Sequence, residues 1–223
     1  MTFEPAAELR GPLYSPLVEA AIRLACQGHY HHFRKPPECG CEVVIGEPLP
    51  PGCVPYVSHL MGTAFILARL GASDTVLAAA VLHDYLEDVP DPDGPTTIRE
   101  AVGADVLELV LAVTEDKRRH LDQTSTWDVR KREQIDRIAL MPLDAVRVKA
   151  ADLLHNLHSL AADLESSNLA EPVWNRLNAG PERQLWYYRG VLAATRARLG
   201  DEPLVDEVER MVSTIARFVP TES

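Results

Sequence analysis

An all-α globule is the fold class this sequence predicts, and three observations carry it. Apolar residues recur at three- and four-residue spacing along most of the 223 positions, the pattern of a helix turning one face to a core. No run alternates apolar and polar residues as a half-buried strand does. Helix-breaking residues fall at helix-length intervals: Gly71, Gly103, Pro142, Ser166-Ser167-Asn168, Gly180-Pro181 and Gly200.

The elements follow in order. Residues 15–30 read as a helix starting at Ser15, with Leu17, Ile22 and Leu24 apolar, and residues 57–70 as a second, with Leu60, Phe65, Ile66 and Leu67. Gly71 closes the second, and Ser73 or Asp74 can cap the next, predicted over Thr75 to Asp88. A short helix over 96–102 opens at Thr96 or Thr97, with Glu100 in capping-box position to Thr97. Val106, Leu109, Val110 and Val113 give 104–114 a helical face, and further helices are expected at 127–140, 143–164, 181–199 and 203–218. The last of these can cap the core or meet a second subunit, so a homodimer is an open expectation. Residues 36–55, rich in Pro, Gly and Cys, form one long inserted loop.

The apolar fraction of 46% suffices to fill the interior of one domain, expected to span residues 1–223. No apolar run reaches the roughly 20 residues that cross a bilayer, and the start, Met1-Thr-Phe-Glu, carries no basic or hydrophobic leader. A cytoplasmic protein without membrane partners is expected. A net charge of −11 argues against DNA or RNA, which require a basic face. A small phosphorylated substrate stays open, because a bound cation with a few Lys or Arg reverses the potential locally. In a reducing compartment Cys26, Cys39, Cys41 and Cys53 argue against disulfides. A zinc knob completed by His31 or His32 is a minor alternative, since Cys-x-Cys is not the usual ligand spacing.

Chemistry concentrates in Val81-Leu-His-Asp-Tyr-Leu-Glu-Asp-Val89. His83 with Glu87, and Asp84 with Asp88, are four apart and project from neighbouring rows of one helix surface. Four ionisable groups ending an apolar helix must be solvated, paired or bound to a metal. The acidic pair also sits at the helix C-terminus, where the backbone dipole disfavours negative charge, so a positive group should compensate it. Two distant positions add weight. His59 begins an apolar helix, and Asp152 shares one face of another with Lys149 and Asn156. One hard divalent cation held by His59, His83, Asp84 and Asp152 would satisfy three helices and leave Glu87 and Asp88 for proton transfer.

At these residues the chain resembles the HD superfamily of metal-dependent phosphohydrolases, and more narrowly the hydrolase domain of RelA/SpoT-type alarmone enzymes and their small stand-alone relatives. His29-Tyr-His-His-Phe-Arg-Lys35 is similar to that family's His-x-Gly-Gln-x-Arg-Lys opening, Pro55-Tyr-Val-Ser-His59 to its Pro-Tyr-x-x-His, and His83-Asp-Tyr-Leu-Glu-Asp88 to its His-Asp-x-x-Glu-Asp. Val113-Thr-Glu-Asp-Lys117, Val148 to Asn156 and Glu182 to Tyr188 follow in the family's order. The resemblance implies an all-α HD-domain fold and Mn²⁺ at the four ligands, with Fe²⁺ or Zn²⁺ suiting the same donors. It implies that Glu87 and Asp88 position and deprotonate water, and that the 3′-pyrophosphate of (p)ppGpp or a related nucleotide is removed. Arg34 and Lys35 match its pair beside the nucleotide, and Lys149 and Asn156 match positions near the metal; Trp127 and Trp186-Tyr187-Tyr188 read by default as packing residues, with Tyr188 able to border the pocket. Most of the basic residues at 117–119 and 130–132 are expected to be solvated helix surface. His155 and His158 are not expected among the ligands. Departures fall at His31-His32, at Val89, and at Leu154 in the Ala-Asp motif, where the family has Arg or Lys.

Overall fold

The computed structural model describes residues 13–35, 48–50, 52–118, 120–122, 124–167 and 171–220. Most of the inserted loop, with Cys39 and Cys41, lies outside the described residues, so its expected form and the zinc alternative are untouched. Helices dominate, as the spacing predicts. Helix α1 (Pro16–Gly28) starts where Ser15 Oγ accepts from Val18 N, and α2 (Val57–Arg69) ends before Gly71, whose φ of +73° suits a residue without Cβ. Helix α3 (Asp74–Leu82), capped by Ser73, buries Val76, Ala78, Ala79, Ala80, Val81 and Leu82. Helices apolar all round lie in the core, and α3 packs against α1, α2, α6 and α8.

The expected helix over 75–88 is interrupted. α3 stops at Leu82 and a single turn, α4 (Tyr85–Asp88), restarts after Asp84. The cause is local: His83 Nδ1 lies 2.7 Å from Ala80 O, so the side chain takes the carbonyl that Asp84 N would use in a continuous helix. The chain then runs through α5 (Gly94–Val102), α6 (Ala104–Val113) and α7 (Trp127–Arg137), which tightens into a 3₁₀ turn at Ile138–Leu140. The capping box at Thr97 does not form: α5 begins three residues earlier, and Thr97 Oγ1 donates to Asp91 at 2.8 Å.

The longest helix, α8 (Leu143–Ser166), packs on α2, α3, α6, α10 (Pro181–Leu199) and α11 (Pro203–Ala216). Ala145, Ala150 and Ala151 are fully buried on it, letting its neighbours approach closely. In α11, Leu204, Val205, Val208, Met211, Val212 and Ile215 are buried against α8 and α10, so this helix caps the core. Two elements were not foreseen. A one-turn helix, α9 (Glu171–Trp174), follows α8. Strands β1 (Phe33–Lys35) and β2 (Val54–Pro55) pair antiparallel with an irregular register, and Tyr56 N continues the pairing onto His32 O at 2.9 Å. This ribbon ties Arg34 and Lys35 to the start of the helix that carries His59. Among the described residues no helix is long and apolar enough to cross a membrane.

Candidate active site

Three segments meet at one point. His59 comes from α2, His83 and Asp84 from the break between α3 and α4, and Asp152 from the middle of α8. The Nε2 atoms of His59 and His83 face each other at 3.2 Å. Asp84 Oδ2 lies 3.2 Å from His83 Nε2 and 3.7 Å from His59 Nε2. Asp152 Oδ1 mirrors it, 3.3 Å from His59 Nε2 and 3.7 Å from His83 Nε2. Both imidazoles are buried. Donor atoms of His59, His83 and Asp84 all fall within 4.8 Å of one another.

The outward edges of the rings are occupied. A carbonyl oxygen only accepts, so His83 Nδ1 carries the proton that meets Ala80 O. His59 Nδ1 meets His155 Nδ1 at 2.9 Å. The electrostatics are mutually opposed. Burial disfavours protonation of His83, yet Asp84 and Asp152 overcome it and raise the ring well above its usual value. Burial also disfavours ionised Asp84 and Asp152, yet His83 beside the first and Lys149 beside the second hold both carboxyls well below the usual range. His59, more desolvated than compensated, is pushed down. Two imidazole nitrogens and two carboxylate oxygens converging on one point are a donor set that suits a divalent cation.

Other groups brace these four. Tyr56 OH donates to Asp84 Oδ2 at 2.5 Å, Lys149 Nζ to Asp152 Oδ2 at 2.9 Å, and Asn156 Nδ2 to Asp152 Oδ1 at 2.6 Å. Arg34 donates to Asn156 Oδ1, and Lys35 pairs with Asp163, which Arg176 also reaches at 3.3 Å. All six of Arg34, Lys35, Lys149, Asn156, Asp163 and Arg176 line a cavity of about 780 Å³ that opens on His59, Asp84, Asp152 and Glu87. Tyr188, buried, forms part of its wall. Asp88 is not part of that lining; its Oδ1 takes Lys117 Nζ at 2.5 Å, and the same ammonium stands 3.2 Å from Glu87 Oε2.

Lys117 is therefore the positive group that the acidic helix end requires, supplied from the segment after α6. The expectation of a solvated surface fails for it and for Arg130 and Lys131, which pair with Glu115 inside the cavity wall. Residue patterns along α7 alone could not show this, because the partner is brought in by tertiary packing. Tyr56 and His155 were likewise missed as partners of Asp84 and His59. His155 contacts the outer edge of His59, and His158 pairs with Glu207 at 3.6 Å on the surface. At the departure in the Ala-Asp motif, the residue facing the cavity is Leu153; Leu154 belongs to the core.

A break in a buried helix that turns a His-Asp pair toward a second histidine and a third-segment aspartate is the mark of a helical domain able to hold a metal ion. A family model described as HD domain matches residues 47–179, and the chain belongs to the HD domain family. It is similar to the guanosine-3′,5′-bis(diphosphate) 3′-pyrophosphohydrolase MESH1 of Mus musculus, 36% identical over 149 residues that cover 65% of this chain and 69% of that protein. It is 34% identical over 116 residues to a protein of Oryza sativa subsp. japonica named "Probable GTP diphosphokinase RSH2, chloroplastic", covering 48% of this chain. The chain spans only 15–16% of the length of such chloroplastic relatives. A solved structure described as a metazoan ortholog of SpoT that hydrolyzes ppGpp and plays a role in starvation responses matches with a TM-score of 0.64 and 25% identity, over 93% of this chain and 97% of that one.

Proposed function

We propose that this chain is a cytoplasmic hydrolase that removes the 3′-pyrophosphate of ppGpp, water and ppGpp giving GDP and pyrophosphate, with Mn²⁺ held by His59, His83, Asp84 and Asp152. The observation supporting it is the convergence of those donors on a cavity whose lining also carries Arg34, Lys35, Lys149 and Arg176. The names of the mouse relative and of the solved neighbour point to the same substrate. When bound, the cation supplies a Lewis acid that acidifies water and takes up charge on phosphoryl oxygens.

The chain's own groups do the rest. Glu87 accepts the proton from the attacking water. Burial, then the neighbouring Asp84 charge, raise its carboxyl to about 7, while Lys117 opposes the rise, so it can exchange a proton near neutrality. Backbone N–H of Glu115 holds Glu87 Oε1 at 2.7 Å and aims the second oxygen. Asp88 keeps Lys117 in place beside it. Arg34, Lys35 and Lys149 offer cations to the phosphates, with Asn156 orienting Arg34 and Tyr188 flanking the bound nucleotide.

Incubation with Mn²⁺ and ppGpp, followed by chromatography of GDP and pyrophosphate, tests this reading. Turnover that vanishes in Glu87→Ala/Asp88→Ala is expected; no turnover by the wild type, or undiminished turnover in the double variant, rejects it. Leu153, an apolar side chain in the lining of the cavity, favours a second reading. There the same groups act on an adenosine alarmone, a nucleoside monophosphate or the 2′-phosphate of NADPH. A panel of these nucleotides, read by released phosphate or pyrophosphate, separates the two.

A further inference from the structure

One helix grips the His59 ring on both edges. Asp152 Oδ1 stands 3.3 Å from its Nε2 and His155 Nδ1 stands 2.9 Å from its Nδ1. The two α8 residues are three apart, so they share one face a turn from each other. A neutral imidazole has one proton and donates from only one nitrogen. For Nε2 of His59 to offer a lone pair to a cation, the proton must sit on Nδ1, and His155 Nδ1 must accept it. The reverse arrangement puts a proton on His59 Nε2, facing His83 and Asp152, and closes the site. His83 is set the same way by Ala80 O, but a carbonyl has no alternative role. His155 does, and its ring must be held in place to play this one.

Space for that ring comes from α2 itself. A Cβ on Gly62, one turn after His59, would stand 2.3 Å from both Cδ2 and Nε2 of His155. Any side chain there would push the imidazole away from His59.

We propose that His155 is a positioning residue that accepts the Nδ1 proton of His59 and so presents Nε2 to the metal, and that Gly62 exists to admit its ring. The proposal rests on the reading of His59 as a metal ligand. Partners of this kind fix the ring's tautomer and orientation and are worth roughly 10–100-fold in metal affinity.

The test titrates Mn²⁺ alone into the metal-free full chain, with free Mn²⁺ followed by electron paramagnetic resonance, in wild type, His155→Phe, His155→Asn and Gly62→Ala. Affinity is expected to fall about 10–100-fold in His155→Phe. It returns toward wild type in His155→Asn, whose amide oxygen stands where Nδ1 stood. Gly62→Ala falls in the same direction although it alters no donor. Melting of the metal-free proteins serves as the structural readout, and His155→Asn melting no higher than His155→Phe separates affinity from stability. Equal affinity in wild type and His155→Phe overturns this inference alone, as does His155→Asn binding as weakly as the Phe variant. A wild type that binds no Mn²⁺ overturns the metal reading and this inference together.

Discussion

Two glutamates, Glu115 buried and Glu87 half-buried, joined by a hydrogen bond from Glu115 N to Glu87 Oε1, sit in opposite electrostatic settings. Glu115, on the wall shared with α7, is met by Arg130, by Lys131 at 2.7 Å and by Gln134 at 3.2 Å. Burial opposes its charge, but Lys131 and Arg130 win and hold its carboxyl below the usual range. Glu87, at the α4 turn, has Lys117 but faces Asp84, and its carboxyl is pushed up to about 7. One wall satisfies its own charge. The other keeps charge in tension, as a site built for a further ligand and for proton exchange must.

The difference has opposite signs in stability. Between about 4.5 and 7 the folded chain holds a proton on Glu87 that the unfolded chain has released, so this group lowers stability as pH rises through that window. Glu115 acts the other way. Its contribution is full above the unfolded value near 4.5 and is lost as pH falls through its depressed folded value.

Four measurements break or sharpen the contrast. Asp84→Asn should cut turnover by on the order of 10³-fold and also lower the stability of the metal-free protein, since it leaves the buried His83 ring without the nearest carboxylate that compensates its charge. Steady-state pyrophosphate release and calorimetry check both halves, and a variant that still turns over would erase the distinction. Glu115→Gln should cost about 3 kcal/mol at pH 7 by leaving Arg130 buried without its partner, and denaturant titrations should show the gap to wild type narrowing at pH 4. Lys117→Met should lower turnover at pH 7 by roughly 10-fold or more. The acid limb of its rate profile, expected near pH 7 in the wild type from the raised Glu87 carboxyl, should move to higher pH, because Lys117 is a group that favours ionised Glu87; a limb that stays in place would exclude Glu87 as the base. Tyr56→Phe, which removes one donor to Asp84, should cost only about 1 kcal/mol, read as a several-fold loss of Mn²⁺ affinity.

Much of this was legible in the residues alone. Helix content, the breaks at Gly71, Gly103 and Gly200, and α10 over Pro181–Leu199 follow from periodicity and turn chemistry, which act within a few residues. So does the Lys149-Asp152-Asn156 face, whose hydrogen bonds lie three and four residues apart on one helix. His59, His83, Asp84 and Asp152 could be grouped because each was an ionisable side chain on an otherwise apolar helix.

What local rules could not reach were the partners. Lys117 meets Asp88 from 29 positions away, Tyr56 meets Asp84 from 28, and His155 meets His59 from 96. Whether a lysine is solvated or bound depends on which carboxylate packing sets beside it. The interruption after Leu82 has no local signature either, because a side chain that takes a backbone acceptor leaves the apolar pattern unchanged. The chain by itself determined which helices form and which of them carry charge on a greasy face, since propensity and amphipathicity are properties of neighbouring residues. Only the tertiary structure decided which charges are neutralised and which are left to a ligand, since that depends on distances between segments far apart in the chain.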